Sequence, residues 1–216
     1  NWEYLHAALK LFSTGAWTSL LTEEIRVLSG TYVRAISGVP EARPKEKAAY
    51  QLAQAPYNQA LGLWYAEEKF SPEAKADVEH KVKTMIDVYK SRLETADWLA
   101  KETRDKAIVK LNVITPHIGY PEKLPETYAK KVIDEQLGLI ENAQNLAKVA
   151  IAHTWSKWNK EVDRSEWHMP AHLVNAYYDP QQNQIVFPAA ILQAPFYDLH
   201  QSSSANYGGI GAVIAH

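Results

Sequence analysis

Residues 173–188 have the sequence LVNAYYDPQQNQIVFP, in which two apolar runs flank a polar turn. The runs at 173–178 and 184–187 contain β-branched and aromatic residues, which favour strands. The residues between them, 179–183, include Asp, Pro and Asn, which are typical of tight turns. The pattern predicts a β-hairpin whose second strand ends at Pro188.

The chain before this hairpin is predicted to be largely helical. Apolar residues recur with helical spacing in four segments, namely 2–12, 21–36, 82–96 and 140–158. A further helical pattern ends at Phe70, and Ser71-Pro72 predicts the cap and first residue of the next helix. The prolines of 40–44 predict a break, and 114–125, with three prolines and a glycine, predicts a loop. The expected fold class is mainly α with a small β-hairpin or sheet portion.

Composition limits the functional classes. With 46% hydrophobic residues in 216, the chain can bury a sizeable core. The 23 basic and 25 acidic residues give a net charge of -2, so we expect no nucleic-acid partner. No apolar run approaches the roughly 20 residues that cross a bilayer, so no membrane segment is expected within these residues. The absence of cysteine excludes disulfides and thiolate metal sites.

Several patterns that could suggest a site are better explained structurally. His168 and His172 are four residues apart, but Pro170 lies between them and no acidic residue does, so they do not predict a metal site. The glycines of 208–211 lack the Lys-Ser/Thr of a phosphate loop and are better explained by close backbone packing. Paired carboxylates such as Glu23-Glu24 lie in helical patterns with basic residues nearby, which indicates a solvated face.

The C-terminal segment of the chain, residues 175–216, carries a family resemblance. Its segments are NAYY at 175–178, NQIVFPA at 183–189, ILQ at 191–193, PF at 195–196, NYGGIG at 206–211 and VIAH at 213–216. Their order and spacing resemble the neprilysin family of zinc endopeptidases, and within it the bacterial oligopeptidases of the oligopeptidase O type. Upstream segments fit the same family: LSGT at 28–31, ALG at 60–62, TR at 103–104 and IGYP at 118–121.

The resemblance implies a two-lobed zincin metallopeptidase that is incomplete in this chain. Residues 1–135 would form part of the helical lobe that covers the active site. Residues 136–216 would form the first part of the catalytic lobe and end at the start of the zinc-binding helix. Both ends of the chain are therefore expected to be internal to a longer protein.

The same resemblance implies one Zn²⁺ per intact protein. In the family, an H-E-x-x-H helix supplies two zinc ligands and the general-base glutamate. His216 matches the first of those ligands. The glutamate is expected just after His216 and the other donors further on, so no catalytic residue is expected in this chain and the fragment alone should be inactive. From Ala215-His216 alone, a packed histidine at a helix end is the simpler interpretation.

Substrate contacts are also implied by the match. Asn175 and Ala176 match an edge strand that binds the substrate as an extended strand. The pocket for the residue after the scissile bond is matched by four apolar residues, namely Ile191, Phe196, Ala212 and Val213. Without the resemblance, Asn175 would be an ordinary turn residue and the four apolar residues ordinary core. Ala212 is smaller than its counterpart in some relatives, and Ala215 replaces the glycine of animal relatives.

These implications predict a zinc-dependent endopeptidase that hydrolyses oligopeptides, with the remaining C-terminal polypeptide of the same protein as its structural partner. The alternative is a non-catalytic helical module of the same fold that binds extended peptides. A Glu-x-x-His continuation after His216 separates the two. A zinc peptidase of another family would lack the match over 175–196. We expect a bacterial cytoplasmic protein, with a secreted or membrane-anchored form as the alternative.

Overall fold

The computed structural model describes residues 1–216, apart from the side chain of residue 16. The α-helices are α1 (Trp2–Trp17), α2 (Glu23–Ser29), α3 (Thr31–Ser37), α4 (Lys45–Gln54), α5 (Asn58–Lys69), α6 (Pro72–Glu94), α7 (Lys101–Asn112), α8 (Leu139–Ser156), α9 (Ser203–Gly208) and α10 (Ile210–Ala215). The strands are β1 (Thr115–Gly119), β2 (Tyr177–Asp179) and β3 (Gln184–Pro188). The mainly α class with a small sheet is confirmed. None of the helices in the described residues is both long and apolar enough to cross a bilayer.

The predicted helical segments are confirmed, with one difference in continuity. Residues 21–36 form two helices, α2 and α3, because Gly30 ends one and precedes the other. The guanidinium of Arg34 donates to the carbonyl of Val27 at 2.8 Å, which satisfies an acceptor that a continuous helix would pair with a backbone N–H. A side chain thus stabilises a break that apolar spacing alone does not reveal.

The start of α6 follows the predicted capping chemistry. The hydroxyl of Ser71 accepts a hydrogen bond from the N–H of Ala74 at 3.2 Å, and Pro72 occupies the first helical turn. The predicted break at residues 40–44 also holds, because it lies between α3 and α4.

The predicted loop at residues 114–125 is wrong in part, because it contains β1. This strand pairs with β3 in parallel, with Thr115 opposite Gln184 and Gly119 opposite Pro188. Pro116, which suggested a loop, is tolerated because β1 lies at the edge of the sheet, where a missing N–H donor disrupts no second neighbour.

The predicted hairpin is confirmed, although its first strand is shorter than expected. The sheet order is β1-β3-β2, with Tyr177 opposite Val186 and Asp179 opposite Gln184 in the antiparallel pair. Strand β2 does not extend back to residue 173 because local bonds use the backbone there. The N–H of Asn175 donates to Leu173 O at 2.9 Å, and the Asn175 side chain accepts from Ala176 N–H at 2.8 Å.

The chain divides into two compact units. Unit 1 comprises residues 1–56 and 126–158, and unit 2 comprises residues 57–125 and 159–216. The apolar core lies in unit 2 and joins α5, α6 and the sheet to the segment after β3; its most buried members include Val78, Val82, Val186, Leu192 and Ile210. The assignment of residues 1–135 and 136–216 to two lobes of a longer protein stays a prediction.

In unit 1, the buried side-chain amide of Asn142 holds the segment before α8 by hydrogen bonds. Asn142, at 8% exposure, donates from its side-chain nitrogen to the carbonyls of Asp134, Leu137 and Gly138. Its side-chain oxygen accepts from the Asp134 N–H at 2.9 Å. These bonds hold the segment before α8 against the first turn of that helix.

Candidate functional site

The edge strand β2 carries the first part of the candidate site. Since β3 is the central strand, β2 pairs on one side only among the described residues. Asn175 and Ala176 lie directly before it; Asn175 is exposed, and Ala176 packs against the core of unit 2. A shallow depression of about 340 Å³ lies along this strand, lined by His168, Met169 and residues 177–180. This geometry is suited to backbone pairing with an extended peptide.

The four residues matched to the pocket differ in their surroundings. Ile191 is 8% exposed and belongs to the core, and Val213 packs against the same core cluster. Phe196 is 37% exposed, and Ala212 is exposed on α10. The structure therefore brings Ile191 and Val213 into one cluster and leaves Phe196 and Ala212 exposed to solvent. Their role in a substrate pocket stays a prediction.

The loop that carries Phe196 is bonded directly to the start of α10. The carbonyl of Phe196 accepts from the N–H of Ile210 at 2.8 Å. A Cβ at Gly209 would lie 2.4 Å from the same carbonyl oxygen, so only glycine allows this close approach. Phe196 is thus coupled to α10, the helix that carries Ala212 and Val213 and ends directly before His216.

Asn206 is a residue of this region to which the sequence assigned no individual role. It is 1% exposed and holds the loop at Asp198 from both sides, because its Nδ2 donates to Asp198 O at 2.9 Å and its Oδ1 accepts from Asp198 N–H at 3.1 Å. Oδ1 also accepts from the side chain of Gln201. The sequence signal for this loop-holding role is the position of the asparagine, directly before the apolar and glycine-rich run 207–216.

His216 follows the last residue of α10 and is exposed. Its N–H donates to Ala212 O at 3.2 Å, and the carbonyl of Ala215 accepts from the hydroxyl of Tyr89 on α6 at 3.2 Å. No group of three His, Cys, Asp or Glu residues that could hold a metal ion occurs among the described side chains. Catalytic zinc needs about three protein donors. The donors of this chain therefore do not fit the ion by themselves, and His216 can supply one donor only.

Three other histidines of unit 2, His117, His168 and His172, have structural surroundings. His117 Nε2 lies 2.9 Å from Arg164 O, its ring packs edge-on against Trp167, and burial lowers its pKa. Burial also lowers the pKa of His172, whose Nδ1 is buried without a partner among the described atoms. His168 Nε2 instead lies 3.1 Å from the amide nitrogen of Gln182.

Comparison with known proteins extends what the geometry shows. The sequence profile of Peptidase family M13 matches the chain twice, with its N-terminal part on residues 1–121 and its peptidase part on residues 175–216. The second match contains β2, the loop at 196 and α10, which are the elements of the candidate site.

Relatives cover the chain from end to end. A proposed zinc metalloproteinase of Streptococcus gordonii is 69% identical over 216 residues, which is 100% of this chain and 38% of that protein. A neutral endopeptidase of Lactococcus lactis is 50% identical over 217 residues, which covers 100% of this chain and 34% of that protein. The chain therefore spans little more than a third of the length of these relatives.

A solved structure supports the same assignment. The crystal structure of PepO from Lactobacillus rhamnosis is 36% identical with a TM-score of 0.86, over 93% of this chain and 32% of that one. Since the N-terminal profile alone covers residues 1–121 of 216, the chain belongs to peptidase family M13, the neprilysin family of zinc metallopeptidases, as the resemblance predicted.

Proposed function

We propose that the intact protein is a zinc-dependent endopeptidase that hydrolyses oligopeptides. The observation that carries this proposal is the match of the family's peptidase part to residues 175–216, which hold the edge strand and the helix leading to His216. The relatives named as a zinc metalloproteinase and a neutral endopeptidase support it.

This chain contributes one imidazole donor, that of His216, to the metal. Zinc, when bound, supplies Lewis-acid polarisation of the scissile carbonyl. The helix before His216 is anchored by Ile210 and Gly211, which are buried, so the imidazole is presented from a packed element rather than a free loop. The remaining donors lie on polypeptide outside this chain, and residues 1–216 alone are inactive.

Strand β2 and the preceding Asn175 bind the substrate backbone. An extended peptide that pairs with the outer edge of β2 gains main-chain hydrogen bonds that do not depend on its sequence. The Asn175 amide adds a side-chain hydrogen bond. Ile191, Phe196, Ala212 and Val213 form an apolar pocket for the residue after the scissile bond, and such a pocket discriminates only modestly between apolar side chains.

The first test uses the full-length protein with zinc and a peptide of about ten residues, long enough to span the edge strand. His216→Ala should lower kcat/KM by more than about 100-fold and lower the zinc content, because loss of a direct ligand costs more than loss of a residue that only hydrogen-bonds to a ligand. His6→Ala, an exposed histidine of α1, serves as the matched control and should change neither value.

The outcomes separate the proposal from its alternative. Cleavage by the wild type that is lost in His216→Ala supports the endopeptidase. Saturable binding of the peptide by the zinc-treated wild type without any product favours the non-catalytic peptide-binding module. Hydrolysis by residues 1–216 alone would contradict the role given to the missing donors.

The substrate-binding strand has its own test. Asn175→Ala should raise KM about three- to tenfold with little change in kcat, because one hydrogen bond is worth roughly 0.5–1.5 kcal/mol in both ground and transition states. Asn112→Ala, at the exposed end of α7, is the control. An unchanged KM in Asn175→Ala would remove the side-chain contact from the proposal.

A further inference from the structure

Helix α6 presents an ion pair that is largely buried and that the proposed chemistry does not use. Lys81 Nζ lies 2.6 Å and 2.8 Å from the two carboxylate oxygens of Asp77, and the side chains are 9% and 29% exposed. Lysine is rarely buried unless it is paired. Burial of such a pair is weak support for stability, because removing both charges from water offsets much of their attraction. The attraction within the pair is therefore expected to contribute little to stability.

The Asp77 carboxylate of this pair also contacts Tyr197, which is 3% exposed. The hydroxyl of Tyr197 donates to Asp77 Oδ2 at 2.8 Å. Burial, together with the bonded carboxylate, raises the pKa of Tyr197 well above its usual value, so the hydroxyl keeps its proton. Burial opposes the charge of Asp77, but hydrogen bonds from Lys81 and Tyr197 outweigh it and hold its pKa below the usual value. The bond between them is therefore charge-assisted, which makes it short and strong.

Tyr197 is adjacent to Phe196, whose carbonyl accepts the N–H of Ile210. The same residue pair is thus held from two sides, by α6 through the Tyr197 hydroxyl and by α10 through the Phe196 carbonyl. Lys81 Nζ also lies 5.9 Å from the centre of the Tyr207 ring, on the helix that precedes α10. A continuous set of contacts therefore runs from α6 to the helix that ends before His216.

We infer that Asp77, Lys81 and Tyr197 are positioning residues that fix Phe196 against the first turn of α10 and so define the pocket for the residue after the scissile bond. The inference rests on the proposed endopeptidase function. It predicts that the ion pair controls selectivity between large and small residues at that subsite. A purely structural role predicts a loss of stability without any change in selectivity.

The main experiment uses the full-length, zinc-loaded protein and two peptides that differ only in Leu or Ala after the scissile bond. Tyr197→Phe removes the hydroxyl and keeps the ring. The ratio of kcat/KM for the Leu peptide over the Ala peptide should fall about tenfold, as expected for loss of a hydrogen bond to a charged group. Tyr120→Phe is the matched control, since the Tyr120 ring packs on Phe70 outside this network. An unchanged ratio in Tyr197→Phe would overturn the inference.

A second variant keeps the test decisive if Tyr197→Phe folds poorly. Asp77→Leu and Lys81→Met combined with Tyr197→Phe remove both charges and the hydroxyl bonded to them, so no charge or buried hydroxyl is left unpaired, a change that is often neutral or stabilising. The triple variant should keep its unfolding temperature and still lose the preference for the Leu peptide. Retention of that preference in the stable triple variant would also overturn the inference.

Binding to the zinc-free protein separates this inference from the function on which it rests. Fluorescence polarisation with the two labelled peptides should show about tenfold weaker binding of the Leu peptide to Tyr197→Phe and unchanged binding of the Ala peptide. If the wild type binds both peptides but cleaves neither with zinc present, the proposed function fails. The change in Leu-peptide binding in Tyr197→Phe then still measures how Tyr197 positions Phe196. If cleavage occurs but neither binding nor selectivity responds, the inference alone fails.

Discussion

Units 1 and 2 differ in what their apolar residues contact. In unit 2, Val78, Val186 and Ile210 are fully buried. In unit 1, Trp2 and Phe12 on α1 are 77% and 76% exposed. Both units contain regular helices with amphipathic sequences, so local periodicity specifies the helix in each case. The helical period therefore predicts which face of a helix is apolar, but not whether this chain supplies the surface that covers that face.

The core of unit 2 depends on pairing between distant segments. Strand β1 joins β3 in parallel, and Gln193 on the segment after β3 donates to Lys69 O at the end of α5 at 3.0 Å. In unit 1, the described residues form helices and connections without a strand. Long-range pairing is therefore what converts amphipathic elements into a closed core here.

The largest expected effect compares a buried and an exposed side chain across the two units. In the 216-residue chain, Leu192→Ala should lower the free energy of unfolding by about 3–4 kcal/mol, because it opens a cavity in a closed core. Phe12→Ala should change it by less than about 0.5 kcal/mol. Urea unfolding followed by circular dichroism measures both values. Equal losses in this chain would contradict the contrast.

The same two substitutions in the full-length protein test whether the exposed face of α1 is covered there. If Phe12→Ala becomes as destabilising there as Leu192→Ala, polypeptide outside this chain covers the apolar face of α1. If it stays small, that face is solvent-exposed in the longer protein as well.

The next effect uses one left-handed glycine from each unit. Gly119 in unit 2 has φ +78°, and a Cβ there would lie 2.6 Å from the ring of Phe70. Gly38 in unit 1 has φ +65°, with open space around it. Gly38→Ala should cost about 1–2 kcal/mol of backbone strain alone. Gly119→Ala should cost about 1 kcal/mol more, because the ring of Phe70 must also shift within the core.

The glycine comparison is measured by the same urea unfolding. Phe70→Leu in the Gly119→Ala background provides the control, since a smaller side chain relieves the overlap. A Gly119→Ala cost equal to that of Gly38→Ala would show that the core of unit 2 adapts more freely than its burial suggests.

The sequence predicts the parts of this fold that are determined locally. The cap at Ser71, the break at 40–44 and the hairpin around residues 179–183 each depend on residues within a few positions of one another. Strand β1 was missed because its partner Gln184 lies far along the chain and because Pro116 resembles loop chemistry. Local composition does not contain the information that pairs them.

The candidate site shows the same limit. The family resemblance marked Phe196 and His216, but periodicity cannot show that Tyr197 bonds Asp77 across more than a hundred residues. Nor does an apolar residue type distinguish a pocket wall from a core position: the resemblance matched Ile191 to the pocket, and the structure buries it among core residues. The matched residues stay predictions, and the contacts that hold them required the structure.

The smallest expected effect compares two helix caps of the same type. In unit 2, Ser71 Oγ accepts from Ala74 N–H at 3.2 Å and begins the 23-residue α6, which buries Val78. In unit 1, Thr22 Oγ1 accepts from Ile25 N–H at 3.4 Å and begins the seven-residue α2, in which no described side chain is buried.

Ser71→Ala should lower the free energy of unfolding by about 1 kcal/mol, whereas Thr22→Ala should lower it by about 0.5 kcal/mol or less. The reason is that fraying of α6 exposes core, while fraying of α2 exposes residues already in contact with water. Hydrogen exchange at the amides of Ala74 and Ile25 measures the local effect, and Ser71→Thr and Thr22→Ser retain the cap oxygen as controls. A larger loss of unfolding free energy in Thr22→Ala than in Ser71→Ala would mean that α2 is stabilised by contacts beyond its own backbone. The two units would then differ in side-chain exposure but not in how strongly their helix caps matter.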